Sequence, residues 1–467
     1  MASDLSQVFK AYDIRGLSPG QLDEAFARRL GQVLAAEYKP KRVLVGRDMR
    51  TTSPELEAAL IDSLTASGAD VVRIGLCSAP MFYVSVGLGQ GTYDLGIMIT
   101  ASHNPSKYNG FKLYHGDLAP IGEGMGMEKI RDRFLTDGPA GQQASRPARG
   151  TVTDDPEALK KYVDKICSFV DVAKLPAMKI AADAGNGMNG LILPELAKHL
   201  PQITILPLYW ELDGTFPNHE ANPLKTETLK DMSDLVRKEK CAFGVAFDGD
   251  GDRVGFVDEK GKQIPNDLME AILARPLLAD APGSKVLYNV NCSWTTVDEI
   301  KAAGGVSEMS RVGHALIKQQ MRKAKALFAG EISGHYFFGD LWNMESGDLC
   351  LLLIMKILAA SGKPLSELWR PLRRFAKTQE INSEVKDKDA ALKRVQDAFA
   401  SVASSVSTMD GVRMEFGVNP DGTRSENAWW FCVRPSNTEP FIRLVVEATT
   451  EELMAKKRDQ LLRLIRG

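Results

Sequence analysis

The sequence predicts an α/β protein: three related mixed α/β domains followed by a smaller α+β domain. Three observations point there. Strand-like apolar runs alternate with amphipathic helical runs over most of the chain. Three strand–turn–helix openings recur at roughly hundred-residue spacing, beginning at Arg42, Met178 and Lys285. Beyond about residue 371 the texture changes to one helix, three strands and a final helix.

The elements follow in order. Arg42–Gly46 reads as a strand, and Ser53–Ser67 as a helix with Ser53 as its N-cap and Pro54 at its first turn. Val71–Gly75 and Asp94–Thr100 are the next strands, with a helical stretch between them. Met178–Ala182 feeds the glycine-rich turn Asp183–Gly190 and a helix over Leu191–Leu200. Phe243–Phe247 and Val254–Val257 read as buried strands on either side of a polar loop. Lys285–Val290 leads through a polar turn to a helix at Thr296–Ala303. The last segment reads as a helix at Asp389–Ala403, strands at Arg413–Gly417, Ala428–Val433 and Phe441–Ala448, and a helix at Glu451–Ile465. Linkers are expected at Gly138–Arg149 and Gly362–Arg374. The resulting boundaries are 1–150, 151–256, 257–370 and 371–467.

Composition narrows the function classes. The chain has 467 residues and a formal net charge of −2. That balance offers no basic surface for nucleic acid and no charged tail. Six cysteines are scattered with no CxxC pair, so neither a disulfide framework nor a zinc cluster is implied. The first residues do not form a signal peptide, and no apolar run reaches the ~20 residues of a membrane helix. A soluble cytoplasmic protein without a membrane partner is the expectation.

The polar loop between the two buried strands is the most informative stretch. In Asp248-Gly-Asp-Gly-Asp252-Arg253, glycines separate three carboxylates, so a tight curl can bring alternate oxygens to one point. Carboxylates so close require a cation, and hard oxygens suit Mg²⁺. Arg253 adds a fork suited to phosphate. An EF-hand would place Glu259 at its twelfth position, but it needs glycine where Arg253 stands and helices where strands are expected.

Four other polar loops stand out. Thr100-Ala-Ser-His-Asn-Pro105 puts Ser102 and His103 on an exposed turn at a strand end, where α/β folds bind ligands. Lys112, just beyond in Tyr108–Lys112, could return to the same rim. Gly330-Glu-Ile-Ser-Gly-His335, if extended, would turn Glu331, Ser333 and His335 to one side, ready for vicinal hydroxyls. Arg434-Pro-Ser-Asn-Thr-Glu-Pro440 joins two strands and offers fork, hydroxyl and amide donors for a phosphate, with Arg443 the alternative anchor. His314 opens an amphipathic helix among basic residues, where it could meet an anion. For each of these strings an ordinary turn is the competing reading.

Together these loops resemble the α-D-phosphohexomutase superfamily, and within it the bacterial phosphomannomutase/phosphoglucomutase branch. The resemblance runs from Phe9–Gly16 and Gly46-Arg-Asp48 through Thr100–Pro105, Asp213–His219 and Asp248–Arg253 to Gly330–His335 and Arg434–Pro440. It implies four domains around a central active-site cleft, each giving one loop. By match, Ser102 carries the phosphoryl group, and Asp248, Asp250 and Asp252, with an oxygen on Ser102, hold one Mg²⁺ per chain. Glu331 and Ser333 contact sugar hydroxyls. Arg434, Ser436, Asn437 and Thr438 hold the unreacting phosphate. Tyr12, Arg15, Lys112, Arg253, His335 and His314 match active-site positions, with Lys112 and His335 candidates for acid and base.

The implied activity interconverts hexose 1- and 6-phosphates of glucose or mannose through a phosphoserine and a 1,6-bisphosphate, with glucose 1,6-bisphosphate or an equivalent as activator and a monomeric chain. Phosphoglucosamine mutase is the alternative within the superfamily; a phosphatase and a non-catalytic sugar-phosphate binder are the alternatives outside it. Departures from the family pattern are small: Cys77-Ser-Ala-Pro80, Ala221, and a long stretch at Gly417–Asn427.

Overall fold

The computed structural model describes residues 5–136, 148–435 and 441–467. Most of the Gly138–Arg149 linker lies outside them. The chain divides into two compact units, residues 1–264 with 333–366, and residues 265–332 with 367–467.

The first unit holds two mixed sheets. One runs in the order Ile14–Leu17, Tyr108–His115, Leu95–Ile99, Arg42–Arg47, Asp70–Leu76, Val152–Asp154. Its last four strands are mutually parallel, and Tyr108–His115 turns back antiparallel to Leu95–Ile99. Leu95–Ile99 is buried along its whole length, which is why it reads as a continuous apolar run rather than an alternation. The second sheet runs Val254–Asp258, Phe243–Phe247, Met178–Asp183, Ile203–Leu208, with only the first pair antiparallel. A hairpin of Tyr336–Phe338 with Met344–Glu345 and the helix Gly347–Ser361 complete this unit.

In the second unit, Val306–Ser310, Lys285–Asn289 and Phe328–Gly330 form a parallel trio with Lys285–Asn289 central. The C-terminal sheet is antiparallel and built on Val412–Val418, Arg424–Pro435 and Phe441–Ala448. Val395 and Phe399 of helix Lys388–Phe399, and Leu461 and Ile465 of helix Glu451–Arg466, join Phe431 and Leu444 in one core.

The expected alternation is present, with local differences. Thr52, not Ser53, stands at the N-cap position of the helix Ser53–Ala66, and its side chain makes no capping bond. The Ser53 hydroxyl donates instead to Asp48 Oδ1, at 2.7 Å, and no longer serves the helix end. The helices expected at Leu191 and Thr296 start earlier, at Asn189 and Trp294; Ser293 caps the latter through the Thr295 N–H. The stretch Gly362–Arg374, where the chain passes from the first unit to the second, is partly helical. Gly362 ends the preceding helix in the left-handed conformation at φ 64°, as a C-terminal glycine does, and Leu365–Trp369 is helical. All six cysteines are unpaired. Among the described residues no single helix is long and apolar enough to cross a membrane.

Strand direction positions the chemistry. The turns after Arg42–Arg47, Leu95–Ile99, Met178–Asp183 and Phe243–Phe247 all leave carboxyl ends of parallel strands in the first unit, where open α/β sheets carry their ligands.

Candidate active site

Ser102 follows strand Leu95–Ile99 and is held at φ 51°, left-handed backbone that costs a non-glycine residue about 1–3 kcal/mol. The turn is exposed at residues 105–107 as expected, but Ser102 itself is buried, at 4% exposure. Its Oγ donates to Asp248 Oδ2 at 2.7 Å and lies 3.2 Å from His103 Nδ1.

Asp248, Asp250 and Asp252 are buried, with one oxygen from each within 4.8 Å of the others. Two glycines make the curl possible. A Cβ on Gly249 would stand 2.4 Å from the Ser102 carbonyl oxygen. Gly251 has φ 77°, and a Cβ there would meet Asn189 Oδ1 at 2.2 Å. The loop is pinned by the Arg253 N–H on Asp248 Oδ1 (3.1 Å) and the Ala79 N–H on the Asp250 carbonyl (2.7 Å). Asp250 Oδ1 is buried and accepts no hydrogen bond. Three converging hard oxygens with one left open fit a small divalent cation such as Mg²⁺. Glu259, the EF-hand alternative, is engaged by the Ser366 N–H and hydroxyl.

Lys112 lies on strand Tyr108–His115. Its Nζ is 2.8 Å from Asp250 Oδ2 and 2.5 Å from Asp252 Oδ2. Burial opposes its charge, yet the two carboxylates hold the ammonium well above its ordinary range. Burial, then the charges of Asp250 and Asp252, push Asp248 up to about 7. Against the same burial, Lys112 and then His335 hold Asp252 well below the carboxylate range. His335 Nε2 lies 3.2 Å from Asp252 Oδ1, and its Nδ1 2.8 Å from Ser333 Oγ. Burial, followed by Arg253 and Arg15, pushes His103 well down, so its imidazole is neutral.

Other expected residues fall in separate groups. Arg15 pairs with Asp13 and donates to Asn104 Oδ1 at 2.8 Å, beside the serine loop. Tyr12 sits in the bend before strand Ile14–Leu17, and Arg253 Nε is 3.9 Å from Asp248 Oδ2. In the second unit Glu331 accepts from the Gly313 N–H at 3.0 Å, next to His314, the first residue of helix His314–Ala324. The segment 331–335 is a turn, with Gly334 at φ 84°, not the extended run expected. Arg434 and Arg443 face each other across paired strands. Glu380 bridges them, at 3.1 Å from Arg434 Nη2 and 3.3 Å from Arg443 Nη1. Ser436, Asn437 and Thr438 lie outside the described residues.

Glu380 gave no signal in the sequence; it stands in an ordinary polar stretch. A buried trio behind the metal loop was also missed. Asp348, at the start of helix Gly347–Ser361, accepts from Tyr162 OH (2.6 Å) and Asn189 Nδ2 (2.7 Å). Asn189, the first residue of helix Asn189–Lys198, lies in the glycine-rich stretch 183–190 of the sequence, which was the one available hint.

Comparison with known proteins agrees with this geometry. Four family models cover nearly the whole chain: phosphoglucomutase/phosphomannomutase alpha/beta/alpha domains I, II and III match residues 6–139, 160–261 and 265–375, and the C-terminal domain matches 380–464. The chain belongs to the phosphoglucomutase/phosphomannomutase family. It is a phosphohexomutase, an isomerase. A protein of Xanthomonas campestris named for phosphohexose mutases is 37% identical over 98% of this chain and 99% of its own. A phosphomannomutase of Methanocaldococcus jannaschii is 36% identical over 100% and 98%. A crystal structure of a phosphoglucomutase/phosphomannomutase family protein from Burkholderia thailandensis superposes with a TM-score of 0.84 at 31% identity, covering 100% of this chain and 98% of the other. In this phosphohexomutase the serine and metal loops thus meet within one compact unit.

Proposed function

We propose that this phosphohexomutase interconverts the 1- and 6-phosphates of glucose and mannose, through a phosphoserine at Ser102 and a hexose 1,6-bisphosphate. The observation that carries the reading is the Ser102 hydroxyl, buried 2.7 Å from Asp248 in a cluster of three carboxylates. A serine in that setting is placed to exchange a phosphoryl group rather than to cap a turn.

In the forward step the free hydroxyl of a bound hexose phosphate attacks the phosphorus on Ser102. The new P–O bond forms as the P–Oγ bond breaks, and Oγ keeps the electron pair. The intermediate bisphosphate then turns over, and its other phosphate returns to Ser102 by the reverse chemistry. Asp248, Asp250 and Asp252 would hold one Mg²⁺, which when bound supplies positive charge to the transferring group. Lys112, between Asp250 and Asp252, would bring positive charge to the transferring group, and it is a candidate for acid or base. His335 is the candidate for moving the sugar hydroxyl's proton. With the Ser102 proton donated to Asp248, neutral His103 can donate its Nδ1–H to the Ser102 oxygen. Glu331 and Ser333 would orient sugar hydroxyls, with His314, Tyr12 and Arg15 as further contacts. Arg434, Ser436, Asn437 and Thr438, with Arg443, would clamp the phosphate that does not react. In this reading the divisions 1–150, 151–256, 257–370 and 371–467 each contribute one loop, and the chain acts as a monomer.

Conversion of glucose 1-phosphate, mannose 1-phosphate and glucosamine 1-phosphate should be measured with and without glucose 1,6-bisphosphate. Turnover of the first two that depends on the bisphosphate is expected. Preference for the glucosamine ester, or release of inorganic phosphate alone, would refute the proposal.

A further inference from the structure

Arg50 reaches no reacting atom of the scheme above, yet its guanidinium holds the main chain at Ser102 and beyond. It is 1% exposed. Its Nη1 donates to the carbonyls of Pro105 and Tyr108, both at 2.9 Å. Its Nη2 donates to the carbonyls of Ser102 (2.9 Å) and Asn104 (2.6 Å). Its Nε faces Asp48 Oδ2 at 3.2 Å. The four Nη donors are thus all spent on main-chain carbonyls, and the buried Nε makes only the charge contact with Asp48.

The guanidinium is itself fixed from both sides. Asp48 Oδ1 accepts from the Arg50 N–H (3.0 Å) and from Ser53 Oγ, which explains why Ser53 abandons the helix cap. On the other side the ring of Phe216 lies 5.1 Å from the guanidinium carbon. Gly214 lets that loop approach: a Cβ there would be 2.6 Å from Arg50 Cα. Gly249 of the metal loop packs on the Ser102 carbonyl that Arg50 holds, with Phe216 also beside it. The Gly46-Arg-Asp48 and Asp213–His219 motifs, for which the reaction found no use, thus meet at Arg50.

We propose that Arg50 is a positioning residue for phosphoryl transfer, holding Ser102 in the left-handed conformation that aims Oγ at the metal loop. The Ser102 carbonyl fixes one side of the residue and its N–H, bonded to Thr100 Oγ1 at 3.0 Å, fixes the other. Without the carbonyl's partner, Ser102 relaxes toward negative φ and Oγ swings off its line. A lysine cannot replace the fork, because three donors on one nitrogen cannot span four carbonyls. The inference rests on Ser102 being the phosphoryl carrier.

The test is Arg50→Lys in the full chain, assayed under saturating glucose 1,6-bisphosphate so that loading of Ser102 does not limit. A misplacement of about 1 Å can cost about a hundredfold in rate. We expect kcat per folded molecule to fall by about that factor while KM for the sugar phosphate stays within about twofold. Unchanged kcat, or a raised KM with kcat intact, overturns the assignment, since a purely structural arginine would lower only the folded fraction. If Arg50→Lys does not fold, Asp48→Asn decides, because it keeps the Oδ1 acceptor and removes only the charge facing Nε. It should lower kcat at constant KM, and an unaltered kcat overturns the proposal. Ser102→Ala run alongside separates the two failures: activity in Ser102→Ala defeats the phosphoserine reading, whereas a dead Ser102→Ala with unaffected arginine and aspartate variants defeats only this one.

Discussion

Replacing Lys112 by methionine tests the electrostatics of the site most directly. Lys112 is 3% exposed and sits between Asp250 and Asp252, 2.8 Å and 2.5 Å away. Methionine keeps the stem's bulk and removes the charge. Removing one partner of a buried ion pair costs about 3–5 kcal/mol, because the remaining charge is uncompensated. Here two carboxylates are left, so the upper part of that range applies in metal-free protein. The cost should appear as a drop of roughly 10 °C in the unfolding midpoint in EDTA. Excess Mg²⁺ would supply positive charge to the same oxygens, so the gap to wild type should narrow with metal. The dissociation constant for Mg²⁺, read by calorimetry, should tighten in the variant. Turnover at saturating Mg²⁺ should still fall, because a bound cation does not replace the lysine's own hydrogen bonds and acid–base capacity. A midpoint gap of equal size with and without Mg²⁺ would refute the claim that ammonium and metal draw on one set of oxygens.

Ser102→Ala should abolish nearly all turnover with little loss of fold, since it deletes one buried oxygen and its bond to Asp248; intact-mass analysis after bisphosphate treatment should show phosphate on wild type only, and equal labelling of both would sink the assignment. Arg434→Ala should raise KM for 1-phosphate and 6-phosphate substrates alike by roughly ten- to hundredfold, the loss of about 1.5–3 kcal/mol for a charge-assisted bond, and Arg434→Lys should rescue poorly; unchanged Michaelis constants for both substrates would move the clamp elsewhere. Burial pushes the Asp348 carboxyl up to about 7, so the folded state keeps a proton that the unfolded chain releases near pH 4. The stability tied to this group is therefore present below about pH 4 and lost as pH rises to about 7. Asp348→Asn should remove that slope and gain on wild type by on the order of 4 kcal/mol across the window; parallel urea midpoints for the two proteins at every pH would show that the carboxylate ionises in the fold.

The sequence alone determined the alternating architecture and the convergence of three carboxylates in one loop. Short continuous apolar runs such as Leu95–Ile99 and Phe243–Phe247 read as strands buried on both faces, which they are. Asp248–Arg253 carries its own logic, because three carboxylates separated by single glycines repel unless a cation or a proton offsets their charge. These are local properties, fixed by residue type and spacing. Tertiary structure decided what local pattern cannot encode. Ser53 would cap a helix by propensity, but Asp48 offers its hydroxyl a buried acceptor. The serine turn reads as exposed, yet Ser102 is buried because Gly249 allows another loop to press on its carbonyl. Arg50 and Glu380 are ordinary charges in the sequence. Their partners are carbonyls 52 to 58 positions away in one case and arginines 54 and 63 positions away in the other. Hydrogen-bond geometry at that separation depends on how the strands return, and that is settled only when the chain has folded.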